Sequence, residues 1–364
     1  MIGATLRASR ARVYWEVRTA HLERALSLEP AAILYASRRY DFDEDLAAGL
    51  EMHRQDSLAA GLTLLRSRVT AVEITEPLFL NGVLRSAVAV VAARAAAWVR
   101  RRPVRIVTYV IGNADPFAVP VRRHPKARLR RLVERRLAFW VARRIDRIAF
   151  GTAGAKDVFE ATFGRVRGKT ALIEALPSPC PCLDGATTPT VPFGVLFLGA
   201  LEHRKGFDLL CAAWPSVVRE EPSARLLVIG KGPLAGQAQH LADTHASVTL
   251  SIDPPRAEVH AQLRAAQVLV LPSQGTPSWR EQVGLPIVEA LAHGTAVVTT
   301  TETGLADWLS ANGHQTIASG ADVEALAGAL LTALRQQRPA EDVLADLPAR
   351  DGRLAADQWM FDAV

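Results

Sequence analysis

The sequence predicts two doubly wound α/β domains joined by a short linker. Length is the first observation behind this, since one hydrophobic core seldom organises as many as 364 residues. The second is an alternation of short apolar runs with stretches of helical period, which starts twice along the chain. The third is a cluster of prolines and small residues, LPSPCPCLDGATTPTVP at 176–192, which falls between the two series and reads as a linker. With 49% hydrophobic residues, 22% charged residues and a mean hydropathy of +0.10, the chain has ample core material and is neither disordered nor fibrous.

The first thirty residues, with RVYWEVRTAHLERALSLEP, read as helical and fit the scheme least well. Strands are then expected at AAILYAS (31–37), VTAVEIT (69–75), VRIVTYVIG (104–112) and RIAFGT (147–152). Leu129, Leu132, Val133, Leu137, Trp140, Val141, Ile145 and Ile148 recur at three- and four-residue steps and predict one long helix. VLRSAVAVVAARAAAWV at 83–99 is the most membrane-like run. It carries Arg85 and Arg94 and is shorter than the ~20 apolar residues of a spanning helix, so a buried helix is expected. The N-terminal MIGATLRASRARVYWEV has no continuous apolar core, so a signal peptide is not expected.

After the linker the alternation restarts with FGVLFLG (193–199), a helix from about 206, RLLVIG (225–230), a helix from about 233 and SVTLSI (247–252). A helix near 256–266, VLVLPS (268–273), a helix holding Glu289 and AVVTT (296–300) follow. Apolar strands alternating with helices predict parallel sheets covered on both faces. The expected boundaries are an N-terminal domain at 1–178, a linker at 179–192, a C-terminal domain at 193–345, and a tail or helix at 346–364 returning to the N-terminal domain. Folds of this class take ligands at the carboxyl ends of their strands, which puts the expected site in the cleft between the domains.

Charge is unevenly shared. Residues 1–180 hold 31 Lys+Arg against 17 Asp+Glu, and the remainder 12 against 20, giving +14 and −8 and the overall +6. Such asymmetry fits two domains with different partners. The three cysteines are Cys180, Cys182 and Cys211. The first two, in CPC, stand closer than the usual zinc pairing of two or more intervening residues, and free thiols in a reducing cytoplasm are expected.

Three segments past strand ends carry candidate chemistry. In FLGALEHRKGFDLL, Lys205 and Gly206 stand where a helix begins, and an ammonium there would neutralise a phosphate. A Lys-Gly step is also common in loops that serve only solubility. VIGKGPL ends a strand at Gly230 and turns into a helix through Gly232 and Pro233, which is equally the pattern of a plain strand-to-helix turn. In EQVGLPIVEALAHGTAVV, Gly284 and Leu285 stand at a helix start with Pro286 in its first turn, so free backbone N–H groups form an anion site. Glu281 precedes that helix and Glu289 lies about one turn inside it. A carboxylate beside a phosphate site needs hydroxyl partners, which sugars and ribose supply.

Together LGALEHRKGFDLL, LLVIGKGPL, the LPS of VLVLPS and EQVGLPIVEALAHGTAVVTT resemble the retaining glycosyltransferases of family 4, over about residues 193–310. The resemblance thins upstream to RRLAFWVARRIDRIAFGTAGAKDVF. It implies the GT-B fold of two Rossmann-like domains facing across a cleft, and sugar transfer from a nucleotide-diphosphate donor, UDP- or GDP-linked, to an acceptor hydroxyl. The resemblance further implies that Lys205 contacts the donor diphosphate and the Gly284 and Leu285 amides cradle it. Glu289 would accept from ribose hydroxyls and Glu281 from the transferred sugar. No metal or cofactor is implied, and the departing diphosphate is neutralised by side chains and a helix terminus. Where the family commonly has Arg after the strand's glycine this chain has Ala200, and Arg204 is the candidate substitute.

A glycine-rich loop is not recognisable near AAILYASRRYDFDED. At the end of TYVIGNADP, Asn113 and Asp115 are candidates to line the acceptor side, with turn roles the alternative. An Asp-x-Asp in DFDED (41–45) has no accompanying carboxylate or His cluster to make a metal site. RRHPKARLRRLVERRLAFWVARRIDR (122–147) holds eleven basic residues against Glu134 and Asp146. It is either a solvated helix face or a contact with anionic lipid or a lipid-linked acceptor, which would hold a cytoplasmic protein peripherally at the membrane. No aromatic platform points to nucleic acid. The alternative functions are a sugar-nucleotide isomerase of 2-epimerase type and a non-catalytic nucleotide-sugar binder.

Overall fold

The structure is a computed structural model, which describes residues 5–39, 42–118, 125–183, 190–276 and 279–362. The chain forms two compact units, residues 1–174 with 353–364, and residues 175–352.

The first unit is built on a seven-stranded parallel sheet of β1 (Arg10–Val17), β2 (Ala32–Arg38), β3 (Met52–Arg54), β4 (Ala71–Ile74), β5 (Arg105–Val110), β6 (Arg147–Phe150) and β7 (Lys169–Leu172). Their spatial order is β3-β2-β1-β4-β5-β6-β7, so the sheet reverses its winding between β1 and β4. Helices α1 (Thr19–Ser27), α2 (Glu44–Ala48), α3 (Ser57–Arg66), α4 (Leu80–Arg100), α5 (Pro125–Ala142) and α6 (Ala153–Phe163) connect the strands. Asp56 caps α3 by accepting from the Ala59 amide at 2.8 Å, and Thr152 caps α6 by accepting from Ala155 at 3.1 Å. By length and composition alone α4 could cross a membrane, but one of its faces, including Val83, Ala89, Val90 and Ala93, is buried in the core of this unit.

Two expectations are corrected here. The segment read as helical at the N-terminus is the central strand β1 followed by the helix α1. RARVYWEV alternates in the manner of a strand, but its charges disguised this, because Arg12 is buried rather than solvated. The stripe from Leu129 to Ile148 is not one helix either. Helix α5 ends at Ala142, and Ile148 lies in β6. Buried strands and helices both present dense apolar residues, and three- and four-residue steps can run on across the turn between them.

The second unit has a six-stranded parallel sheet in the order β10-β9-β8-β11-β12-β13. Its elements run β8 (Gly194–Leu198), α7 (Phe207–Glu220), β9 (Arg225–Ile229), α8 (Ala235–Thr244), β10 (Val248–Ser251), α9 (Arg256–Ala265), β11 (Val268–Leu271), α10 (Leu285–Ala292), β12 (Ala296–Thr300), α11 (Ala306–Ala311), β13 (Gln315–Ile317), α12 (Val323–Gln336) and α13 (Ala340–Ala345). Every residue of β11 and β12 is buried, and both runs are apolar except for Thr299 and Thr300, whose hydroxyls donate to the Leu271 and Ser273 carbonyls. Winding reverses between β8 and β11, and that is where this class of sheet opens a crevice.

Helix α14 (Gly352–Phe361) then delivers residues 353–361 to the first unit. It is held there by a buried ionic lattice. Arg12 on β1 donates to Glu73 on β4 at 3.1 Å and to Asp357 on α14 at 2.8 Å, and its third nitrogen reaches the Glu29 carbonyl at 3.1 Å. Arg353 bonds the other Glu73 oxygen at 2.6 Å. Two guanidinium groups thus face two carboxylates, and each charge removed from water has an opposite neighbour. The same setting, through burial first and Glu73 next, pushes the Tyr14 hydroxyl up to about 12. Replacing Asp357 with Ala leaves a buried positive charge uncompensated, so a loss of about 3–5 kcal/mol is expected in urea unfolding. A midpoint equal to that of the wild type would contradict this account of α14.

Candidate functional site at the carboxyl edge of the second sheet

The site grows from two loops that leave adjacent parallel strands. After β8 the chain makes a 3-10 turn, His203–Lys205, and reaches Gly206 with φ +69° before α7 begins. A Cβ at Gly206 would lie 1.9 Å from the carbonyl oxygen of Pro272, which follows β11, so glycine is demanded by both backbone angle and space. The close approach is secured by the Gln274 amide, which donates to the Arg204 carbonyl at 2.9 Å. Lys205 is thereby carried over the end of β11.

There its ammonium lies 2.5 Å from Glu281 Oε2, and Ser273 Oγ donates to the same oxygen at 2.9 Å. Both members of the ion pair are largely withdrawn from water, with side-chain exposures of 13% and 9%. The indole of Trp279 lies beside them, 5.2 Å from Lys205 Nζ and 4.8 Å from the Arg204 guanidinium carbon. Arg204 is also paired with Glu202 at 2.5 Å. Arg280 adds another cation, held to the buried Glu302 at 2.8 Å.

Helix α10 opens beside Glu281 with Gly284 as its N-cap at φ +79° and Pro286 in the first turn. The Ile287 and Val288 amides already return to the Gly284 carbonyl, while helix geometry leaves the N–H groups of Gly284 and Leu285 without intrahelical acceptors. Positive partial charge therefore collects where Lys205 also stands. One turn into the helix, Glu289 does not join Glu281. Its carboxylate meets Arg256, the first residue of α9, at 2.5 Å. The two acids of the sequence motif thus hold two different cations, one from the β8 loop and one from the start of α9.

In the first unit, Asn113 is buried, and Asp115 accepts from the Phe117 amide at 2.8 Å in a side-chain-closed turn. Sequence reasoning passed over Glu76, which follows β4 next to the reversal of winding. Its carboxylate accepts from the Gly112 amide at 3.1 Å, and burial raises its pKa to about 7. Ser273, Trp279, Arg256 and Arg280 were likewise unassigned by the sequence. Of these, only Ser273 sat in a recognised motif. Within DFDED, Asp43 caps α2 by accepting from the Asp45 and Leu46 amides, while Asp41 lies outside the described residues.

The chain has the two parallel-sheet, Rossmann-like units of the GT-B glycosyltransferases. Its fold is similar to that of the Anabaena protein Alr3699/HepE, solved in complex with UDP, at a TM-score of 0.65 and 16% identity over 97% of this chain and 95% of that one. It is also similar to WaaG, described as a glycosyltransferase involved in lipopolysaccharide biosynthesis, at a TM-score of 0.57 and 16% identity over 97% and 100% of the two chains. Residues 192–336 match the family described as Glycosyl transferases group 1.

Among curated relatives, the phosphatidyl-myo-inositol mannosyltransferase of Mycobacterium tuberculosis is 41% identical over 108 residues, 29% of this chain and 27% of the relative. The GDP-mannose-dependent alpha-(1-6)-phosphatidylinositol monomannoside mannosyltransferase of Mycolicibacterium smegmatis is 29% identical over 174 residues, 46% and 44% of the two chains. These matches span less than half the length of either relative.

Because Gly206 sets the position of Lys205, its replacement by Ala is expected to cost about 1–3 kcal/mol of stability through left-handed strain, with the Pro272 contact adding to it. A melting temperature unchanged by the substitution would contradict the packing described.

Proposed function

We propose that the protein is a retaining glycosyltransferase that moves a sugar from a nucleotide-diphosphate donor to an acceptor hydroxyl. The observation that carries this reading is the desolvated Lys205–Glu281–Ser273 group beside the amino end of α10. Its cation and helix amides suit a diphosphate, and its carboxylate suits sugar hydroxyls. In the unliganded protein each charge satisfies the other. A donor's diphosphate takes over the Lys205 ammonium and the Gly284 and Leu285 amides, which releases the Glu281 carboxylate to the transferred sugar. As the glycosidic bond to phosphate lengthens, negative charge grows on the leaving oxygen, and Lys205 and the helix end stabilise it there. Glu289 serves the ribose hydroxyls by exchanging or sharing Arg256, and Arg204, laid on Trp279, flanks the phosphates in place of the family arginine absent at Ala200. With charge stabilised by protein groups, transfer needs no added divalent metal and no cofactor.

UDP- and GDP-linked sugars are the donors proposed, since the relatives and structural neighbours are named for GDP-mannose and UDP. The proposed acceptor is lipid-linked. On α5, Leu129, Leu132 and Val133 are exposed with 64%, 46% and 49% of their surfaces free, next to the exposed Arg128, Arg130, Arg135 and Arg136. Apolar and basic side chains presented together suit the interface of an anionic membrane, at roughly 1 kcal/mol for each basic residue near the surface. Residues 122–124 of that basic run lie outside the described residues. Asn113 and Asp115 belong to the acceptor side of this proposal, and the protein would work at the cytoplasmic face of the membrane.

The test is release of nucleoside diphosphate that depends on added acceptor. Glu281→Gln is expected to keep the fold and lower turnover by about a hundredfold or more. Turnover close to wild type would reject the role of Glu281, and donor interconversion without acceptor would reject transfer in favour of isomerisation. Flotation with anionic liposomes at low salt is expected to carry the protein upward. A protein that stays at the bottom of the gradient would remove the membrane proposal.

A further inference from the structure

We propose that the carboxyl-terminal unit contains a structural zinc site formed by Cys180, Cys182, His260 and His293. The four donor atoms lie within 4.8 Å of one another, although the residues come from three separate parts of the chain. Cys180 and Cys182 stand in the segment before β8, His260 on α9, and His293 at the carboxyl end of α10. Taken as half of a sequence pattern, the CPC spacing is too close for zinc. In the fold, the second pair of ligands is supplied by two helices instead.

Distances and chemistry agree on the occupant. Sγ of Cys180 and Sγ of Cys182 are 2.9 Å apart, closer than two unlinked thiols pack and longer than the ~2.05 Å of a disulfide. Nδ1 of His260 lies 3.9 and 3.8 Å from the two sulfurs, and Nε2 of His293 lies 3.1 Å from Cys182 Sγ and 2.9 Å from His260 Nδ1. A tetrahedral zinc with Zn–S of ~2.3 Å and Zn–N of ~2.0–2.1 Å needs edges of roughly 3.3–3.8 Å, so movements of less than about an ångström complete the shell. Two sulfurs and two imidazole nitrogens suit zinc and not magnesium or calcium, which take oxygen.

The surroundings are arranged for the same ion. His293 Nδ1 meets the backbone carbonyl of Glu289 at 2.6 Å, which places the ring proton on that nitrogen and turns the Nε2 lone pair toward the cluster. Arg264 donates to Cys182 Sγ at 3.2 Å, a charge-assisted contact at the edge of the cluster. Four protein ligands close the coordination sphere, so the role is structural rather than catalytic, and the site does not depend on which donor the protein binds.

The consequence is mechanical. The segment before β8 already touches the end of α10 through the Cys180 amide and the Ala292 carbonyl, 2.8 Å apart. Zinc would staple that segment to α9 and α10 together. It would hold α10 at its carboxyl end while Gly284 and Leu285 are offered at its amino end.

Metal analysis of the untagged full-length protein decides the matter. About one zinc per chain is expected, and cobalt exchange should give the visible bands of a tetrahedral site with a thiolate charge-transfer band. Cys182→Ser and His260→Asn should each lose the metal. A chelator should lower the melting temperature of the wild type but leave that of either variant unmoved. Two results would overturn the proposal: folded wild-type protein free of zinc, with both thiols unreactive until reduced and therefore joined as a disulfide, or zinc content unchanged in Cys182→Ser. Because the stoichiometry is read on the wild type, a variant that fails to fold does not blunt the test.

Discussion

The proposed donor site of the carboxyl-terminal unit depends on one desolvated ion pair, Lys205 with Glu281, placed where its parallel sheet reverses its winding. An isolated charge at such a depth would be costly. The pair is tolerated because opposite charges meet at hydrogen-bond distance and Ser273 takes up further acceptor capacity. In the proposed function this arrangement is the unliganded state, in which phosphate would replace the carboxylate at the lysine and hydroxyls would replace the lysine at the carboxylate. A parallel sheet makes this possible, since it gathers strand ends and helix starts along one edge.

Helix α10 ties several of these observations together. Its amino end presents amides without intrahelical acceptors, its middle carries Glu289 against Arg256, and its last turn leads to His293. The Glu289 carbonyl receives His293 while the Glu289 side chain faces the cation on α9. A single short helix therefore connects the proposed donor site with the cysteine–histidine cluster. Eight residues hold few turns to resist displacement, so anchoring at both ends matters more here than it would in a long helix.

Much of the second unit could be read from sequence because its inner strands β8, β11 and β12 are largely buried and read as dense apolar runs. Glycines, a lysine and two acids then follow strand ends in recognisable order. What stayed hidden was whatever depended on distant partners. β1 was misread because Arg12 looked solvent-facing, and only Glu73 and Asp357, far along the chain, explain its burial. Arg256 could not be paired with Glu289 by any local rule, and the ligands of the cysteine cluster span residues 180 to 293. The proposed acceptor side is the least legible part, since Asn113 and Asp115 showed only turn chemistry in sequence, and the raised pKa of Glu76 arises from burial.

The measurement that tests the central claim most directly is calorimetric titration of the unmodified protein and of Lys205→Met with UDP, GDP, and UDP-, GDP-, ADP- and dTDP-sugars. The account predicts saturable binding of at least one nucleotide by the wild type. Loss of a charge-assisted contact to phosphate should weaken that binding about ten- to a hundredfold in Lys205→Met. Absence of binding across the whole series, or equal affinity in the variant, would contradict it.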